Sequence, residues 1–196
     1  MIIWINGAFG AGKTTLAYEL NRRLPNSYLY DPENVGYFIR KNMPKQILKD
    51  DFQDHVAWRE MNYAMLSTLD SEFYGTIIVP MTIVNPQYFE EIVHKLRLNG
   101  HEVNHFTLLA NRDTLLKRLK SRGDHENSWP AKQIDRCITN LSQDMFKIHI
   151  YTDDLTPEEI VEQIATACKV ELLPDHRGKF KKKMDKVITQ IKQIKM

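Results

Sequence analysis

The chain has 196 residues, 42% hydrophobic and 27% charged, with a net charge of +2, enough to bury one substantial core. Of its 27 basic and 25 acidic residues, eight and one fall within residues 177–196, so that segment carries +7 and the remainder −5. A mildly acidic body of this kind excludes a general nucleic-acid-binding protein, and no nucleic-acid partner is expected.

The first apolar run, "MIIWI", is only five residues long and leads into glycines, which is too short for a signal peptide. No stretch approaches the ~20 apolar residues that span a bilayer. Cys137 and Cys168 lie far apart without metal or redox spacing and suit a reducing compartment. The expectation is a cytoplasmic protein.

Short apolar runs alternate with amphipathic ones along the chain. "IIWIN" (2–6) reads as a buried strand and residues 13–24 as a helix with Leu16, Ala17, Leu20 and Leu24 on one face. A strand is expected at 28–31, helices over 33–42 and 51–74, and a strand at 76–80. Asn85 and Pro86 open a helix that "NG" closes at 99–100. A strand at 105–110, a helix over 112–122 and a strand at 147–151 follow. Thr156, Pro157 and Glu159 then form a capping box for a helix over 156–167. This alternation predicts an α/β fold, five parallel strands ordered 2-3-1-4-5 with helices on both faces. Residues 1–174 make one P-loop kinase-like domain and 175–196 a basic amphipathic helix.

"GAFGAGKTT" (7–15) fits G-x-x-x-x-G-K-[ST] at a strand-to-helix junction. A triphosphate needs backbone N–H groups aimed at it from a loop with few side chains in the way, followed by a helix N-terminus. The expected nucleotide contacts are therefore Gly7, Ala8, Phe9, Gly10, Ala11, Gly12, Lys13, Thr14 and Thr15. Lys13 supplies charge to the β- and γ-phosphates of ATP, and the Thr14 hydroxyl is a ligand for Mg²⁺.

Neither the third nor the fourth strand ends on a carboxylate: "TIIVP" runs into Met81 and Thr82, and "HFTLLA" into Asn111. The nearest strand-end acid is Asp31, in "YDPE". It serves either as the group that takes an acceptor hydroxyl's proton or as a helix cap, and both roles are compatible. Arg118 and Arg122, four apart on a helix before the loop-like "GDHENSW" (123–129), are candidate lid cations over the transferring phosphoryl, or a solvated helix face. Arg136 is a weaker candidate for the same role. Asp51, Asp54, Trp58 and Arg59 lie where an acceptor would bind, with Trp58 equally suited to the core.

The whole chain resembles the tunicamycin resistance protein family of bacteria. The resemblance rests on "MIIWINGAFGAGKT", "YDPE", "DDFQ", "IVPMTIV", "HFTLLA", "LLKRL" and "NSWPAKQIDRC". It implies an ATP-binding protein conferring resistance to tunicamycin, a lipophilic, lipid-tailed nucleoside antibiotic, and membrane association through the C-terminal segment. Phosphoryl transfer to the antibiotic is one expected route. ATP-gated sequestration without turnover, and a kinase for some other small molecule, are the alternatives.

In residues 177–196, Phe180, Met184, Val187, Ile188, Ile191 and Ile194 recur on one helical stripe among lysines. Such a helix suits an anionic membrane surface on the inner face of the cell membrane, or docking on the protein's own body or on a second subunit of a homodimer.

Overall fold

A computed structural model describes residues 1–178 together with 181, 184 and 185. Five parallel strands, β1 (Ile2–Gly7), β2 (Ser27–Leu29), β3 (Thr76–Pro80), β4 (Val103–Leu109) and β5 (His149–Tyr151), form one sheet ordered β2-β3-β1-β4-β5. The fold class and strand order are those expected from the sequence. The central strand reads as a continuous apolar run because helices cover both faces, and Ile2, Ile3, Trp4 and Ile5 have no exposed surface. Its register, Ile2 opposite both Ile77 and Val103, brings Gly7 level with Leu108 at the C-terminal edge. That edge of a parallel sheet, where each strand hands over to a helix, is where ligands bind in open α/β folds.

Helix α1 (Lys13–Arg23) starts directly from the glycine-rich loop and buries Leu16, Ala17 and Leu20. Helices α2 (Glu33–Asn42) and α3 (Val56–Glu72) follow β2. The single helix expected over 51–74 is instead broken at its start. The Asp51 carboxylate accepts from Gln53 N, which begins a 3₁₀ turn at Phe52–Asp54, and α3 begins only at Val56. A side chain that satisfies a nearby N–H competes with helix continuation at that point. The helix after Asn85 comprises α4 (Pro86–Phe89), a wide π turn (Glu90–His94) and α5 (Lys95–Leu98). As the sequence suggested, Asn85 caps it through Gln87 N, and Gly100, at φ 86, follows its end.

Helix α6 (Arg112–Lys120) leads into the turns around Gly123–Ser128. Two further short helices then appear, α7 (Trp129–Lys132) and α8 (Ile134–Leu141). Ser128 caps the first, and Ile134, Cys137 and Leu141 form the buried stripe of the second. The expected capping box is present on α9 (Pro157–Cys168), which packs on α1. No helix among the described residues is long and apolar enough to cross a membrane.

After α9 the chain is tied to the end of α1, with Leu173 N donating to Arg23 O at 2.7 Å and Arg23 Nε to Leu173 O at 3.1 Å. Arg177 does not stand free in solvent. Its guanidinium donates to Asp175 and Asp185 and to Glu19 of α1. Most of the expected amphipathic helix, residues 179, 180, 182, 183 and 186–196, lies outside the described residues.

Candidate functional site

The glycine-rich loop is held in place by buried neutral groups at its root. Asn6, with no exposed surface, accepts at Oδ1 from Gly7 N (2.8 Å) and from Ile83 N (3.0 Å). Its Nδ2 donates to Ile83 O at 2.8 Å and lies 3.2 Å from His105 Nε2. Burial pushes the His105 imidazole down to about 4, so the ring is neutral. Accepting from Asn6 at Nε2 leaves its proton on Nδ1, directed at Lys147 O, 3.2 Å away. Thr82, in the segment just after β3, donates its hydroxyl to Gly7 O at 2.7 Å. One asparagine and one threonine thus pin the start of the loop to the neighbouring strand end.

Close packing explains two of the glycines. A Cβ on Gly7 (φ 148) would stand 2.9 Å from Leu108 O, and one on Gly10 (φ 84) 3.0 Å from Leu115 O. Gly12, at φ 102, faces open space, and its left-handed conformation turns the chain into α1.

Lys13 stands on the first turn of α1, with its ammonium folded back onto Gly7 O (3.0 Å) and Ala8 O (3.1 Å) and 5.4 Å from the Phe9 ring centroid. Desolvation lowers its pKa to about 8, against the opposing fields of Cys137 and Glu33. A desolvated cation bonded to neutral carbonyls at a helix N-terminus fits an incoming phosphate. Thr14 and Thr15 follow on the same turn, so the residues expected at a phosphate cradle are gathered at one place.

Asp31 lies just beyond β2, between Tyr30, whose N–H still reaches Ile78 O, and α2. Its carboxylate accepts from Glu33 N at 3.0 Å, so it does brace the start of the helix. Burial raises its pKa to about 6, the Glu33 N–H opposes the rise, and the Glu33 charge adds to it. Glu33 also acts on the Lys13 charge, which links this acid pair to the cradle.

On the other side of the loop, Arg118 and Arg122 line a cleft of about 200 Å³ together with Gly10, Gly12, Thr15 and Thr152. Arg118 does not wave in solvent: it donates to Thr152 Oγ1 (3.0 Å) and Thr152 O (2.7 Å). Burial lowers the pKa of Arg122, and Asp124 partly restores it. Arg118, on α6, and Arg122, in the turn beyond the end of that helix, therefore both border the loop. Trp129, at the start of α7, packs edge-on against Phe9 with ring centroids 5.2 Å apart.

Two expected substrate residues are corrected. Trp58 is wholly buried and its indole N–H donates to Pro32 O at 3.0 Å, so it is a core residue and offers no platform. Arg59 is also buried. It pairs with Glu91, donates to Gln53 O, and lies 4.2 Å from the Tyr88 ring centroid. Its charge is matched within the protein by Glu91.

The AAA domain family matches residues 2–143 of this chain. The solved tunicamycin resistance protein of Deinococcus radiodurans is 32% identical, the match covering 89% of this chain and 99% of that one at a TM-score of 0.76. The chain carries an AAA domain and belongs to the tunicamycin resistance protein family. A sugar kinase from Janibacter (18% identity, 86% and 94% coverage, TM-score 0.60) shares the fold alone. So does the APS kinase of Mycobacterium tuberculosis (14%, 86% and 96%, TM-score 0.59). A translation initiation factor 2-alpha kinase, PK4 of Plasmodium falciparum, is 31% identical over 78 residues, 40% of this chain but only 2% of that protein. This member of the tunicamycin resistance family is thus a P-loop nucleotide-binding protein of kinase-like fold. Asn6, Thr82 and His105, which brace its loop, and Thr152, which holds Arg118, match no phosphate-binding pattern. Their role shows only once the strand ends are placed side by side.

Proposed function

We propose that the protein transfers the γ-phosphoryl group of ATP to a hydroxyl of tunicamycin, and that this modification confers resistance. The reading is carried by one observation: a phosphate cradle with a desolvated lysine shares the sheet edge with a carboxylate whose pKa is raised to about 6. The family relationship supports the antibiotic as acceptor. The acceptor oxygen attacks the γ-phosphorus, the bond to the β,γ-bridging oxygen breaks, ADP leaves, and the hydroxyl proton passes to Asp31. Lys13 moves from the carbonyls of Gly7 and Ala8 to the β- and γ-phosphates, and Arg118 and Arg122 cover negative charge from the lid side. Thr14 would hold Mg²⁺, which would supply positive charge against the phosphates.

Residues 177–196 hold the protein reversibly on the anionic inner face of the cell membrane, where a lipid-tailed substrate arrives. The support is the excess of lysines along an apolar stripe. Arg177 is subtracted from that charge, since it pairs with Asp175, Asp185 and Glu19.

Mass spectrometry of tunicamycin after incubation with the protein and MgATP is the direct test. A gain of one phosphoryl group, with equivalent ADP formed, is expected. Unmodified antibiotic overturns transfer, and its retention by the ATP-loaded protein would leave sequestration as the route.

A further inference from the structure

Beyond α9 the chain returns to the phosphate-loop helix and is fastened to it by charge. Every nitrogen of the Arg177 guanidinium is engaged. Nε and Nη2 grip the Asp175 carboxylate as a fork, at 2.8 and 2.9 Å, and Nη1 donates to Asp185 Oδ2 at 2.7 Å. Nη2 also donates to Glu19, on α1. The side chains of Arg177, Asp175 and Glu19 are only 10%, 10% and 13% exposed, and that of Asp185 is 24% exposed. An isolated surface ion pair contributes little, but a forked and largely desolvated network holds a fixed geometry.

Among the described residues, two ionic links cross from the C-terminal segment to α1, and they run in opposite senses. Arg177 offers its charge to Glu19, while Asp185 offers its own to Arg22, 3.8 Å from Nη2. Glu19 and Arg22 also pair with each other, three residues apart on α1. The Leu173 N–H tie to Arg23 O lies beside these links, and Arg23 reaches Glu162 of α9 at 3.6 Å. Hydrogen bonding to Arg177 holds Asp185 below the usual carboxylate range, and the charges of Arg22 and Lys181 add to the effect. Four cations, Arg22, Arg23, Arg177 and Lys181, thus meet four carboxylates, Glu19, Glu162, Asp175 and Asp185. The cluster is neutral. Arg22, Arg23, His176 and Lys181 also border a hollow of about 390 Å³.

We infer that these contacts form a latch that an anionic lipid surface opens, drawing Arg177 from Glu19 while repelling Asp185 from Arg22. The inference rests on the membrane reading of residues 177–196 given above and names the contact that attachment must break. Closed, the latch is neutral and adds no attraction toward the surface. Opened, residues 175–185 present Arg177, Lys179, Lys181, Lys182 and Lys183 against Asp175 and Asp185, a net +3. Both links weaken together, because the field of an anionic surface acts on their segment-side ends in the senses that part them from α1. A lipid phosphate entering the hollow takes the place of the Asp185 carboxylate at Arg22.

The test follows hydrogen exchange at the Leu173 amide in the full chain, beside co-sedimentation with vesicles. In the free protein, Glu19→Gln and Asp185→Asn are each expected to speed that exchange severalfold. Vesicles containing phosphatidylglycerol are expected to do the same to the parent, and phosphatidylcholine alone to leave it unchanged. Glu19→Gln should also reduce the anionic lipid needed for half-sedimentation by a larger factor than Glu171→Gln, an equal change of charge at an exposed position outside the latch. Unchanged exchange in both latch variants, or a vesicle-bound parent with Leu173 still protected, overturns the inference. Equal opening by glycerol phosphate at the same phosphate concentration also overturns it, since the agent is then a soluble anion. If the parent does not sediment with anionic vesicles at all, the membrane reading fails and surface-driven opening fails with it. Calorimetry of Glu19→Gln with MgATP, expected to match the parent, shows that α1 is intact.

Discussion

Thr82→Val removes one hydroxyl and very little volume, and its consequences are expected to differ between the empty and the loaded protein. In the empty loop Gly7 O accepts from both Thr82 Oγ1, at 2.7 Å, and Lys13 Nζ, at 3.0 Å. Losing one of two donors there costs about 0.5–1.5 kcal/mol of stability, the usual net worth of an intramolecular hydrogen bond. When Lys13 moves to the phosphates, Gly7 O keeps only Thr82. The valine variant then leaves a buried carbonyl unsatisfied, at about 1–3 kcal/mol. The loss of ATP affinity is the difference between the two figures, about 0.5–1.5 kcal/mol, or roughly 2- to 12-fold at about 1.4 kcal/mol per decade. Urea denaturation of the free protein and calorimetric titration with MgATP measure the two quantities separately. Affinity equal to that of the parent, with stability lowered as expected, would refute the claim that Lys13 gives up Gly7 O on binding.

Other outcomes follow from the same geometry. Lys13→Ala should weaken MgATP binding strongly in calorimetry, and equal affinities would remove Lys13 from the cradle. Because the Lys13 pKa is lowered to about 8 in the empty protein, phosphate should raise it again. Nucleotide binding near pH 8.5 should therefore take up protons, which calorimetry in buffers of differing ionisation enthalpy detects, and Lys13→Ala should abolish the uptake. Transfer should rise with pH through an inflection near 6 as Asp31 ionises. Asp31→Asn should erase that limb and lower the rate by roughly 10²–10⁴-fold. The folded pKa of Asp31 lies above its ordinary 3.8, so the stability due to its protonated form is present below 3.8 and lost as pH rises through about 6. Asp31→Asn should flatten that decline in pH-dependent denaturation. A chain ending at Gly178, which keeps Arg177, should lose co-sedimentation with anionic vesicles while retaining MgATP affinity, and full sedimentation would place the membrane contact elsewhere.

The sheet was legible because its strands are buried on both faces, which leaves short unbroken apolar runs such as "IIWIN" and "TIIVP". The phosphate loop was legible because its glycines answer to steric demands that no other residue meets at Gly7 and Gly10. Trp58 was ambiguous for a physical reason. A large aromatic beside acids looks the same in sequence whether its N–H meets a substrate or, as here, the carbonyl of Pro32. Helix α8 did carry a signal, the Ile134, Cys137 and Leu141 stripe at spacings of three and four, but Pro130 and the preceding turns obscured its start. Asn6, Thr82 and His105 stand in segments that carry the resemblance, but no spacing marks them as a clasp. Asn6 bonds Ile83, next to Thr82, and His105 across 77 and 99 residues of chain, and strand pairing brings them together.

The two ionisable groups to which the proposed transfer gives roles are shifted toward neutrality by the same cause. Desolvation takes Lys13 down to about 8 and Asp31 up to about 6, so the empty site carries its charges at a disadvantage in free energy. The loop itself is secured by groups that carry no charge, since Asn6, Thr82 and a neutral His105 make its buried bonds. A rigid neutral frame therefore surrounds two ionic groups, and in the proposed transfer a triphosphate and a hydroxyl acceptor would be their partners. In that scheme the phosphate would restore the charge of Lys13, and the proton released by the acceptor would neutralise Asp31. Each partner thus relieves a penalty already present in the folded chain, and the charge stabilisation falls where negative charge and a proton arrive during transfer.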